Sequence, residues 1–197
     1  MKWNPGPAGV TRVLGGPARG FGRMWEKNYL MTLEGVSPRA AIAPWRERFP
    51  WPAPQRRGRG VTVLKADAES VTASTLPAEP LTGWITVSAE RAGPLTDVRV
   101  HLLMRARDPL SELAFALGGY ERQDRFWVAA LTALAGRLAR PDPAVVIRGV
   151  CLDSRHQWRN TRNVCDSPVL RTMARTVSVP FVVLGVGVLS ARTRRRG

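Results

Sequence analysis

The chain of 197 residues holds little that could do chemistry: two histidines, two cysteines, and 15 acidic residues against 30 basic ones. His156 lies in "DSRHQWRN" beside Asp153, which raises a His–Asp pair for proton transfer. The nucleophiles nearby, Ser154 and Cys151, have no GxSxG-like setting, so hydrolase chemistry is not supported. His101 shares a strand face with Asp97 and Arg99 and reads as a solvated histidine, not a general base. Cys151 and Cys165 lack CxxC spacing and the histidine partners of a structural zinc, and nothing supports a disulfide between them. No two carboxylates have an evident acid/base spacing. Asp108 reads as a helix cap, and Glu121 and Asp124 as the solvated start of a long helix. "GGPARGFG" lacks the lysine and the strand-to-helix context of a phosphate loop, and reads as a linker. No cofactor, no metal and no catalytic residue is expected, and the balance leans away from an enzyme.

Binding is the other possibility, and charge is its strongest signal. Net charge is +15, with an isoelectric point near 11.6. Residues 1–60 carry 11 basic and 3 acidic residues, 61–140 carry 9 and 9, and 141–197 carry 10 and 3. A neutral body with two basic ends suits a polyanionic surface, although a general arginine bias gives the same composition. Trp45 and Trp51, next to Arg46, Arg48, Arg56, Arg57 and Arg59, could combine stacking with phosphate contacts, but no nucleic-acid motif is present and nucleic acid is the weaker reading. Residues 176–191 are uncharged, and Arg192, Arg194, Arg195 and Arg196 follow. Sixteen residues fall short of the roughly 20 of a spanning helix. An interfacial segment with arginines at anionic headgroups competes with a buried strand there. No apolar signal region opens the chain, so a cytoplasmic location is expected, peripheral to the inner membrane face at most.

The elements that must position these residues are legible. Residues 1–24, rich in Gly and Pro, read as a flexible basic arm. "MWEKNYLMTLEG" alternates Trp25, Lys27, Tyr29, Met31 and Leu33 on one face, a strand. "VSPRAAIAPWRERFP" is a short helix with Ser37 as cap and Pro38 opening it, and Pro44 should kink or split it. "VTVLKA", "SVTASTL", "LTGWITVSAE" and "DVRVHLLMRAR" are strands, the last with a clean apolar face of Val98, Val100, Leu102 and Met104. The period then becomes helical: Pro109 opens "LSELAFAL", Gly118-Gly119 break or hinge it, and "YERQDRFWVAALTALAGRLAR" is a long helix. Beyond it come a late strand "AVVIRGVCLD", a basic loop "SRHQWRNTRN" and a short helix "DSPVLRTMARTV".

Strand, split helix, several antiparallel strands and a long C-terminal helix is the order of the helix-grip fold. "TGWITVSAERAGPLTDVRVHLLMRARDPLSELAFALGGYERQDRFWVAALTALAGRL" resembles the last third of START/polyketide-cyclase-like (SRPBCC) domains, and the resemblance spans about residues 25–140. It implies an α+β domain over 25–141, a curved antiparallel sheet wrapped around a long C-terminal helix. A C-terminal extension, 142–176, would pack on that domain, and 177–197 would form an apolar segment with an arginine-rich tail. The resemblance also implies a cavity between sheet and helix for an apolar small molecule or lipid. Ile85, Val87, Val98, Val100, Leu102 and Met104 would line it from the sheet; Phe115, Phe126, Trp127 and Leu131 would line it from the helix. The same residues would equally fill a closed core. The expected function is non-enzymatic binding or carriage of that ligand. The alternatives are a cyclase- or hydrolase-like enzyme and a nucleic-acid-associated protein.

Overall fold

A computed structural model describes residues 16–49, 60–77, 79–138, 143–167 and 170. In chain order come β1 (Met24–Glu34), α1 (Pro38–Glu47), β2 (Val61–Ala66), β3 (Ser70–Thr75), β4 (Leu81–Ala92) and β5 (Leu95–Ala106). They are followed by α2 (Pro109–Ala114), α3 (Tyr120–Arg137) and β6 (Val145–Asp153). Each strand pairs antiparallel with its neighbour in one curved sheet ordered β2-β3-β4-β5-β1-β6. The β2–β5 meander therefore returns to the first strand, and β6 extends the sheet on that strand's far side.

Side-chain alternation sets the register. Val98, Val100 and Leu102 of β5 lie opposite Met31, Tyr29 and Lys27 of β1 on one side. On the other they lie opposite Ala89, Val87 and Ile85 of β4. A slip by one residue would turn this whole apolar face outward. Ile42 and Trp45 of α1 and Trp127, Ala130, Leu131 and Leu134 of α3 close over the face in one buried cluster. Burying each large aliphatic or aromatic side chain there contributes about 1.5–3 kcal/mol.

The helices start where the sequence places them. Ser37 Oγ accepts from the Ala40 amide at 3.3 Å, with Pro38 opening α1. Pro44 does not split α1, which runs on to Glu47. Pro44 is itself buried, as are Ala41, Ile42 and Trp45 of the same helix. Trp45 is fully buried and 6.2 Å from the Trp127 ring, so it is core and not a stacking platform. Asp108, fully buried, accepts from the Ser111 amide and the Ser111 and Ser167 hydroxyls at 2.9–3.0 Å. The helical stretch of 29 residues from Pro109 breaks where expected. Phe115–Gly119 is a kink between the two helices, non-helical at Leu117 and at Gly118, which adopts φ +107°, a conformation that side chains disfavour.

The arm expected over residues 1–24 does not persist to its end. Phe21 is buried, and its amide bonds the Ala106 carbonyl at 2.8 Å. The basic loop 154–163 is in part a 3-10 segment, Trp158–Asp166, tied to residues 16–23 through Asn160, Asn163 and the Gln157 amide. These two segments cover one end of the sheet's outer face. Arg105, expected on a solvated face, is consequently buried there. No helix among the described residues is long and apolar enough to cross a membrane. Trp51, Arg56, Arg57 and Arg59, the segment 177–191, and Arg192, Arg194, Arg195 and Arg196 lie outside the described residues.

Candidate functional site

Polar side chains concentrate where β1 begins, β5 ends and α3 takes its first turns. Alternation places Lys27 on the inward face of β1, and it is only 7% exposed. Its Nζ reaches Asp124 Oδ1 at 2.6 Å and lies 5.3 Å above the Tyr120 ring. The Tyr29 hydroxyl donates to the same carboxylate oxygen at 2.5 Å. Burial, then the Asp124 carboxylate, pushes the Tyr29 phenol far above its ordinary range. Asp124 is thus no freely solvated residue of a first turn. It sits four residues after Tyr120 and three before Trp127, on the stripe of α3 that meets the sheet. The missed signal is Lys27, since an ammonium on an apolar strand face requires a carboxylate.

A second group lies alongside. Arg23 Nε donates to Glu112 Oε1 at 2.9 Å, and its guanidinium lies 5.6 Å over the Trp25 ring. The bond to Glu112 raises the arginine further, against a smaller opposing effect of burial. A Cβ on Gly22 would fall 2.2 Å from Glu112 Oε2 and 2.8 Å from Ala106 Cβ, so a larger residue would have to displace the carboxylate and strain against β5. His156 Nε2 is 3.8 Å from Glu112 Oε1. Its carboxylate neighbour is therefore Glu112, not Asp153. Asp153 accepts from the Arg155 amide at 2.9 Å and from Arg105, and these bonds, in that order, hold its carboxyl below the usual range. Arg105 also donates to the carbonyls of Gly22 and Arg155 at 2.8 and 3.1 Å.

Aromatic rings stand between the two groups. Trp25 and Phe115 lie 5.5 and 5.3 Å from Tyr120, ring to ring. Burial first, and then the charge of Glu112, pushes the Tyr120 phenol up to about 12. Trp25 Nε1 and Tyr120 Oη face one another without completing a hydrogen bond, and Gln123 Oε1 is also buried without a partner. The amide nitrogen of Gln123 instead meets Met104 Sδ at 3.1 Å. Cys151, opposite Trp25 in the register, is a free thiol, as is the exposed Cys165. Among the described residues no group of three or more His, Cys, Asp or Glu is placed to hold a metal.

The residues expected to line a cavity divide. Val87, Val98, Val100, Leu102, Met104, Trp127 and Leu131 pack together in the core, none more than 4% exposed. Ile85 packs at the edge of that core. Phe126 is exposed, edge-on to Trp127 at 5.0 Å. Phe115, with Met104 at the core's border, is what the expected set contributes to the polar end. His101 lies on the outer face, as its parity requires, with Nε2 2.8 Å from Glu26 Oε1. No family model, curated protein or solved structure matches the chain at a significant level.

Proposed function

We propose that this chain is a non-enzymatic binding module of the helix-grip kind, taking one apolar or aromatic small molecule that carries a polar group. The ligand would enter at the end of the sheet where the kink at Phe115–Gly119 interrupts the long helix. The observation that carries this reading is a set of buried polar atoms short of good partners: Trp25 Nε1 and Tyr120 Oη, which face only one another, and Gln123 Oε1, beside the ring cluster of Trp25, Tyr120 and Phe115 in chain and fold. An unmatched buried donor or acceptor costs about 1–3 kcal/mol, so a ligand supplying the missing partners gains from a penalty already incurred. A further feature supports it. Leu113 and Leu117 are exposed at this break, at 56% and 77%. The deeper sheet residues pack against helix side chains, which favours binding at the end of the grip over binding in its middle. Carriage or sensing fits better than catalysis: the carboxylate that His156 faces is already bonded to Arg23.

Native mass spectrometry of protein purified from cells should show an added mass that organic extraction removes. The neutral dye Nile red should then bind saturably at one per chain, and Tyr120→Ala with Gln123→Leu should abolish that binding. A single unliganded mass together with no saturable dye binding overturns the proposal.

A further inference from the structure

The opposite face of the sheet carries a separate cleft of about 580 Å³, within the range of small-molecule sites. Strand register assembles it. Thr86, His101, Asn28 and Arg148 form one row across β4, β5, β1 and β6, and Ser88, Arg99, Leu30 and Val146 form the next. Its chemistry is one-sided. Arg99 and Arg148 make no ion pair among the described residues, and Asn28 and Ser88 have no side-chain hydrogen bond there. The lone carboxylate, Glu26, is engaged by His101 at 2.8 Å. What remains is two guanidiniums, an amide and a hydroxyl, all able to donate, with apolar contact from Leu30 and Val146.

The arginines bracket the cleft and do not crowd each other. Their Cα atoms are separated by two strand spacings, about 9.6 Å, and by two residues along β1, about 7 Å. Their side chains can therefore converge on one anion from opposite sides. Planar guanidiniums match the oxygens of a phosphoryl group bidentately, and two of them match its second charge.

We infer that this cleft binds a small organic phosphomonoester, its phosphoryl group held between Arg99 and Arg148 and its organic part over Leu30 and Val146. The inference is independent of the ligand site at the opposite end of the inner face. The same headgroup could come from a soluble metabolite or from a phosphomonoester lipid, and the experiment separates the two. Isothermal titration of the full chain with phenyl phosphate should give one site, absent with benzyl alcohol. Arg99→Gln and Arg148→Gln should each weaken it about tenfold or more, while Arg91→Gln, elsewhere on β4, should leave it unchanged. Vesicles of phosphatidylcholine with phosphatidic acid give the lipid arm: arginine-dependent capture of these vesicles, with weak phenyl phosphate binding, assigns the lipid source. Nile red binding and the urea midpoint should be unchanged in both variants, which separates this site from the first and excludes misfolding. Equal binding by both variants and the parent chain overturns the inference. So does binding of single-stranded oligonucleotide alone, with a steep salt dependence unaffected by either substitution.

Discussion

Replacing Asp124 with alanine tests whether the end of the long helix is held by charge. In the folded chain Lys27 is 7% exposed, and its ammonium has the Asp124 carboxylate at 2.6 Å. Removing one partner of a fully buried ion pair costs about 3–5 kcal/mol, chiefly because the remaining charge is stranded. The Asp124 side chain is 29% exposed, so water can reach the pair and part of that cost is recovered. Tyr29 loses its acceptor as well, which adds about 1 kcal/mol. The expected destabilisation is about 2–4 kcal/mol, or a urea midpoint lowered by about 1–2 M at a slope near 2 kcal/mol/M. Lys27→Met removes the stranded charge, so Lys27→Met/Asp124→Ala should be more stable than Asp124→Ala alone. The coupling between the two sites should exceed about 1 kcal/mol in a double-mutant cycle. Equilibrium unfolding followed by tryptophan fluorescence measures all four proteins. An Asp124→Ala midpoint within 0.3 M of the parent (about 0.6 kcal/mol at that slope), or a double variant weaker than Asp124→Ala, would refute the reasoning.

Other expectations follow from the same geometry. The chain has two tyrosines, and both phenols are shifted upward in the fold. Absorbance at 295 nm should therefore show no folded-state ionisation near pH 10, with Tyr120 ionising near 12. Because both folded values exceed the unfolded one, this contribution to stability is complete below about pH 10 and is lost as pH rises from there toward 12 and beyond; stability that stays flat through that range contradicts the assignment. Leu131→Ala, at a fully buried position of α3, should cost about 2–5 kcal/mol in the same unfolding assay. Gly118→Ala meets no neighbouring atom but must adopt φ +107°, so it should cost about 1–3 kcal/mol from backbone strain alone. A neutral result there would mean that the turn relaxes into regular helix.

The fold was largely legible because it is written in periodicity. Every described strand coincides with an alternating or β-branched stretch, and Ser37, Asp108 and Gly118 mark caps and a break by local chemistry alone. The split allowed for at Pro44 did not occur: α1 runs through it with Pro44 buried, and local rules count the hydrogen bond a proline removes and not what its burial gains. The polar end was poorly legible for a related reason. Asp124 read as a solvated charge, Lys27 as part of an apolar face and Asp153 as a partner of His156, because the true partners of these pairs lie 48 to 97 residues away in the chain.

By itself the sequence determined the described strands and helices, the inward faces of β1 and β5 and the uneven placement of charge, since these depend on neighbours one to four residues apart. It also determined that His101 faces outward, which follows from parity. Only the tertiary structure decided that β6 lies beside β1, that residues 16–23 and 154–167 cover Arg105, and that His156 faces Glu112. It alone decided that Arg99 and Arg148 flank one cleft. Those relations depend on strand order and on which segments cross the sheet's end. Strand order is fixed by the whole core at once, and no local pattern records it.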